Sequence, residues 1–370
     1  MLLAMGPAIV TRAFGSRERG KALGLNAVSV SVGLSAGPTL GGILTQLGSW
    51  HWIFYINVPV GILAILWALR ILVNERPVEA ESFDIPGALL SFASMFSLLL
   101  TLTEGQNLGW TSLPVLGLVV AFVVLGATFI HVESRSAHPM LDLQLFQNRA
   151  FSAGNVSLLI DMAALFTATF LLPFFLEIGQ GLPAITAGLL LTPIPLTTMM
   201  VSPITGALSD RIGSRIPATL GLGVMSVGLF SLTQIHAGTG YWDLILRLMI
   251  VGLGQGLFSS PNSSSILGSV PRSRLGIASG TLGLMRADGQ MLGIAVAGAI
   301  VANRTAAYIA ELSNRLTPAM VQREALILAI HDAFYVAGAI CVVGILISLS
   351  RGRRVSEPVA VDRSEFPSSV

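Results

Sequence analysis

Charge is scarce in this chain. Asp, Glu, Lys and Arg make up 11% of its 370 residues, against about 25% in a soluble globular domain. The net charge is only +2, which leaves no basic footprint for nucleic acid. A single cysteine, Cys341, excludes an intrachain disulfide. The five histidines are scattered, with no His-x3-His or Cys-x2-Cys spacing, so the usual metal-binding patterns are missing. No glycine-rich phosphate loop ending in Lys-Ser or Lys-Thr occurs, so ATP is not the expected energy source. Gly33-Leu34-Ser35-Ala36-Gly37 has the letters of a nucleophile elbow, but that motif needs a strand-to-helix turn with acid and His partners. Here it sits inside a long apolar run. No cofactor is expected, and no nucleophile–base pair or metal-ligand set at one depth points to an enzyme.

What is abundant is hydrophobicity: 53% of residues are apolar and the mean hydropathy is +0.78. Runs long enough to cross ~30 Å of hydrocarbon recur along the whole length, so an all-α polytopic membrane protein is predicted. The complete spans read as 22–46, 51–73, 85–104, 112–131, 151–176, 184–205, 216–236, 242–266, 275–302 and 331–350. Residues 1–10 are apolar but too short to cross, and they lack a basic leader and a cleavage site. They read as the last turns of a helix. With residues 12–21 in the cytoplasm and alternation from there, sixteen of the 21 Lys and Arg residues fall inside. Arg304, Arg315 and Arg323 fall outside, and Arg247 and Arg286 lie within spans. That bias obeys the positive-inside rule and places the C-terminus in the cytoplasm.

Glycine is equally plentiful, at 39 residues, and its placement is patterned. Gly24, Gly33, Gly37-Pro38 and Gly41-Gly42 share one apolar segment. Gly33, Gly37 and Gly41 recur every fourth residue and form a bare stripe on one helix face, where a neighbouring helix can approach closely. Pro38 removes a backbone donor and bends the helix. A kinked helix with a smooth face is the kind of joint an alternating-access transporter needs. Gly20, Gly24, Gly33 and Gly37 reappear 256 residues later as Gly276, Gly280, Gly289 and Gly293, which predicts two half-domains of related architecture. Ile294 stands where Pro38 would fall, so the second helix should be straighter.

The spacing G-x8-G-x3-G-P-x2-G-G resembles the antiporter motif of the major facilitator superfamily. The following run from Ser49 through Trp50, His51 and Trp52 to Gly61 is similar to that of its fourteen-helix drug/proton antiporters, the QacA/EmrB-like exporters, although His51 stands where the family usually has Arg. The resemblance implies the major facilitator fold, with two six-helix halves and two central helices. On that reading residues 1–73 are a remnant of the N-terminal half, a stub plus two helices. Residues 74–150 carry the central helices, 151–350 the C-terminal six-helix half and 351–370 a cytoplasmic tail. The first three and a half helices would be missing before Met1.

Gly206-Ala207-Leu208-Ser209-Asp210-Arg211-Ile212-Gly213-Ser214-Arg215 resembles the superfamily's cytoplasmic loop signature. Gly206 and Gly213 permit a tight turn. Asp210 is suited to the positive N-terminus of the following helix or to a neighbouring Arg, and Arg211 and Arg215 to another helix end. Contacts made in only one rocking state would bias the transport equilibrium; a plain basic anchor turn is the alternative.

Asp161 is the sharpest single candidate. It lies ten residues into its span, about 15 Å deep at helical rise, where a lone carboxylate is costly unless it faces a cavity or a partner. Proton coupling or attraction of a cationic drug is one reading, and a structural carboxylate bonded to a neighbouring helix the other. Arg286 and Asp288 share a span but point apart, and Asp161 with Arg286 is one conceivable pair. Arg247, ahead of Gly252, Gly254, Gln255 and Gly256, resembles a weak second copy of the family's fourth-helix arginine motif. For Arg247 and Arg286 a structural ion pair competes with a proton relay.

The resemblance therefore implies proton-coupled export of lipophilic or cationic drugs by alternating access. The implied partners are the lipid bilayer of a cell membrane, a lipophilic substrate and protons; nothing specifies an accessory protein. A carrier of another substrate class and a non-transporting truncated fragment are the alternatives.

Overall fold

The computed structural model describes residues 2–14, 18–49, 51–71, 84–136, 139–313 and 317–351. The segment 74–83, Trp50 and the tail beyond 351 lie outside the described residues. Among those described, every regular element is helical: α1 Leu2–Ala13, α2 Arg19–Leu47, α3 Trp52–Tyr55, α4 Asn57–Ile71, α5 Ile85–Leu108, α6 Leu113–Glu133, α7 Arg149–Phe174, α8 Ala184–Leu191, α9 Pro193–Ile212, α10 Arg215–Leu232, α11 Tyr241–Gly268, α12 Leu275–Leu312 and α13 Pro318–Leu349.

Nine described helical segments are long and apolar enough to cross a membrane. The expected span 22–46 forms a continuous helix, α2. The gap left between the expected spans 275–302 and 331–350 is largely helical. α12 continues to Leu312 and α13 starts at Pro318. Polar residues such as Gln322, Arg323 and Glu324 hide helix from an apolar scan without interrupting backbone hydrogen bonding. Thr317 and Pro318 do occupy the N-cap and first helical positions.

Local chemistry sets the other boundaries. Asp84 caps α5 by accepting from the Gly87 N–H at 2.9 Å, and Asn148 caps α7 by accepting from Ala150 N–H at 2.9 Å. Pro193 and Pro195 divide α8 from α9 at Thr192. Gly213, at φ +87°, ends α9 in the left-handed region. Pro173 precedes a π-type turn, Phe175–Gly179, that prolongs α7.

The core lies among α7 and α9–α13. α12 packs on α7 and α13, α10 on α11 and α13, and α11 on α9. Phe151, Phe175, Phe258 and Phe334 are its largest fully buried side chains. α2 is the helix of the first segment most tightly joined to this body, along α9. α5 and α6 form a hairpin that leans on α12 through α5. α4 shows exposed side chains along most of its length, a surface fit for lipid.

Candidate transport site and helix joints

The two copies of the glycine pattern serve opposite ends of their helices. In α2, Gly20 and Gly24 are the points of close approach. A β-carbon on Gly24 would stand 2.7 Å from Pro203 Cα and from Ser202 O, and Gly20 abuts the backbone of Gly206. A β-carbon on Gly33 or Gly37 would meet nothing within 4 Å among the described residues. Nine residues of helix turn through two and a half revolutions, which puts Gly33 on the face opposite Gly24. Pro38 and Gly42 are placed as members of α2, which runs unbroken through both. In α12 the usage reverses. Gly276 and Gly280 stand open, whereas a β-carbon on Gly289 would meet Leu159 O at 2.5 Å and Met162 Cβ at 2.8 Å, and Gly293 abuts Ala163.

That α7–α12 crossing positions the deepest acid. Asp161 is wholly buried, flanked by the very residues that Gly289 touches. Its carboxylate faces the Gln255 amide on α11, the Arg286 guanidinium on α12 and Cys341 on α13. Neither oxygen closes a hydrogen bond, and Arg286 Nε is likewise buried and unpartnered. A charged carboxylate in that setting is strongly disfavoured, so a proton or a small approach of Arg286 or Gln255 would each relieve it. Thr167 Oγ1 donates to Ala163 O at 2.9 Å and to Gly293 O at 3.2 Å, which ties the two helices one turn further on.

The other candidate charges lie elsewhere. Asp288 is half-buried and makes no ion pair with Arg286. Arg247 pairs locally with Asp243 at 3.0 Å and donates to Ser231 O, so the structure does not bring it to Asp161. Gln255, named above only in the motif that follows Arg247, joins the site beside Asp161. An amide between Gly254 and Gly256 inside an apolar span was the signal for it.

The loop signature after α9 lands on α2 rather than on α10. Asp210 Oδ1 accepts from Gly20 N–H at 2.9 Å and Oδ2 from Lys21 N–H at 3.1 Å. Glu18, the N-cap residue of α2, makes no side-chain cap bond, so the carboxylate of another helix serves as the cap. Ser260 Oγ donates to Gly20 O at 2.7 Å from α11. Gly206 is not a turn residue. It lies within α9, where the missing side chain admits the backbone of Gly20. Arg215 donates to Leu349 O at 2.6 Å at the C-terminal end of α13, and Arg211 is exposed.

Long apolar helices packed through glycine crossings, with a solitary carboxylate buried at one of them, define a multi-pass membrane protein. The chain belongs to the Major Facilitator Superfamily, whose profile matches residues 1–294 and 156–368. It is 36% identical over 296 residues to the uncharacterized transporter YebQ of Escherichia coli, covering 80% of this chain and 65% of that protein. It is 32% identical to the riboflavin transporter RibZ of Clostridioides difficile, covering 97% and 76%. It is 31% identical to the multidrug resistance protein Stp of Mycobacterium tuberculosis, covering 88% and 61%. The chain thus spans about two thirds of the length of these relatives.

Proposed function

We propose that the protein works in a proton-coupled exporter of lipophilic or cationic compounds, of the fourteen-helix type, in a cell membrane with its C-terminus in the cytoplasm. The observation that carries this reading is Asp161: wholly buried, with both oxygens unpartnered, at a helix crossing. Protonated, it is neutral and tolerable in its apolar setting; deprotonated, it needs Arg286, Gln255 or a cationic substrate. Proton loss and helix movement are thereby linked. The Asp210 cap on α2 would hold one end of the transporter shut, and would be made in only one of the two rocking states. The face bearing Gly33 and Gly37 would be the moving face of the joint. Multidrug resistance proteins among the relatives favour drugs as the substrate class.

The test is Asp161→Asn in proteoliposomes loaded with a fluorescent lipophilic cation under an imposed pH gradient. Gradient-driven export should be abolished while membrane insertion is retained. Unchanged export in the variant refutes the role of Asp161. A second reading, a carrier of another substrate class, is favoured by the alignment with a riboflavin transporter over 97% of the chain. It predicts flavin uptake or release in the same vesicles without transport of the cation.

A further inference from the structure

The α5–α6 hairpin brings together two further acids, Glu133 buried and Asp84 half-buried. Asp84 precedes α5 and Glu133 ends α6, so the antiparallel pairing of the two helices brings them to the same end. Glu133 is 3% exposed. Its Oε2 accepts from the Leu141 N–H at 3.2 Å, and Asp84 Oδ1 accepts from the Gly87 N–H at 2.9 Å. That leaves one oxygen on each side chain, Asp84 Oδ2 and Glu133 Oε1, both buried and both without a partner. Each lies 2.7 Å from the point where a β-carbon on Gly87 would stand. The two orphan oxygens are therefore no more than twice that distance apart, and the missing side chain of Gly87 is what leaves them room.

Two carboxylate oxygens this close repel each other when both side chains are charged. Among the described residues the two orphan oxygens fall short of a divalent-metal site, since calcium takes six to eight oxygens and magnesium an octahedral set. A proton on one acid, with a small side-chain rotation, lets its O–H donate to the other and removes the repulsion. The remaining neighbours of Glu133 are the backbone amides of Met140 and Leu141, and Asp84 is the charged group that acts on it. Arg135 follows two residues on, and on the linker side Asp142 is engaged by Arg274 ahead of α12. His131 is exposed on α6; His138 lies outside the described residues.

We propose that Asp84 and Glu133 form a proton-binding dyad that closes the base of the α5–α6 hairpin, separate from the site at Asp161. The linker gives the dyad a consequence. Glu133 holds Leu141; Asp142 accepts from Gln144 N–H at 2.9 Å and binds Arg274; Asn148 donates to Ser269 O at 3.0 Å. The protonated dyad is the first of three holds that fasten the segment leading into α7. Loss of the proton sets two negative charges against each other and releases that first hold.

Infrared difference spectroscopy of the full chain in lipid, titrated from acid to alkaline pH, tests the dyad. The wild-type protein should keep a carboxylic-acid carbonyl band above the ordinary carboxylate range, about pH 4, and lose it in a single step. Glu133→Gln and Asp84→Asn should each remove that same band, because either loss dissolves the pair. Asp161→Asn should leave it in place. Asp84→Ser, which keeps a competent cap for α5, guards against a folding defect and should match Asp84→Asn. Persistence of the band in both the Glu133 and Asp84 variants, or ordinary acidic titration of the two residues, overturns the proposal. So does a shift of the band on adding magnesium, which would make the site a cation site.

Discussion

Replacing Asp210 with alanine removes the acceptor for two backbone N–H groups, on Gly20 and Lys21. The first turn of α2 contains no acidic residue and its own N-cap residue makes no side-chain bond, so nothing local takes over. Loss of a cap costs about 1 kcal/mol, and loss of a negative charge at a helix N-terminus about 0.3–1 kcal/mol more. The combined ~1–2 kcal/mol corresponds to roughly a fivefold to thirtyfold change in the ratio of two states. If the cap exists in only one rocking state, the α2–α9 junction should part by that factor more often. Spin labels at Leu25 and Ile212, both exposed, in a Cys341→Ser background would report the separation by pulsed electron resonance. Asp210→Ala should enlarge the long-distance population. Asp210→Asn, which still caps but carries no charge, should produce an intermediate shift. An unchanged distance distribution in Asp210→Ala would refute the gating argument and leave the loop as a static anchor.

The glycines give a paired comparison. Gly24→Ala places a β-carbon against Pro203 and Ser202, and overpacking of this kind costs about 1–3 kcal/mol; the melting temperature should fall. Gly37→Ala meets nothing within 4 Å and gains about 0.5–1 kcal/mol of helix preference, so stability should hold or rise even where transport is impaired. Gly289→Ala should loosen the α7–α12 crossing and depress both the melting temperature and export, since its β-carbon would stand 2.5 Å from Leu159 O. Arg247→Ala removes an i,i+4 pair with a half-exposed Asp243, a change of about 0.5 kcal/mol. Export rates should stay near wild type, and a collapse of coupling would place Arg247 in the proton path after all.

Sequence by itself determined the elements. Apolar runs mark the spans because lipid admits only helices whose backbone groups are satisfied internally. It also singled out Asp161, because one carboxylate deep in an apolar run is conspicuous without any knowledge of its neighbours. Tertiary structure decided the partners. Helical phase put Gly24 and Gly33 on opposite faces, so Gly33 and Gly37 leave space beside them while the inconspicuous Gly20 and Gly206 carry the α2–α9 contact. Asp210 found an N-terminus 190 residues away because that crossing delivers it there, and no local pattern encodes such a meeting. Arg247, by contrast, turned to its own helix, since an acid four residues away is always within reach. Gln255, Arg286 and Cys341 converge on Asp161 from three different helices, and the nearness of Asp84 to Glu133 depends on how α5 and α6 pair. Periodicity and composition fix what a segment is, because those depend on neighbours along the chain; which side chains meet is set by crossings between distant helices.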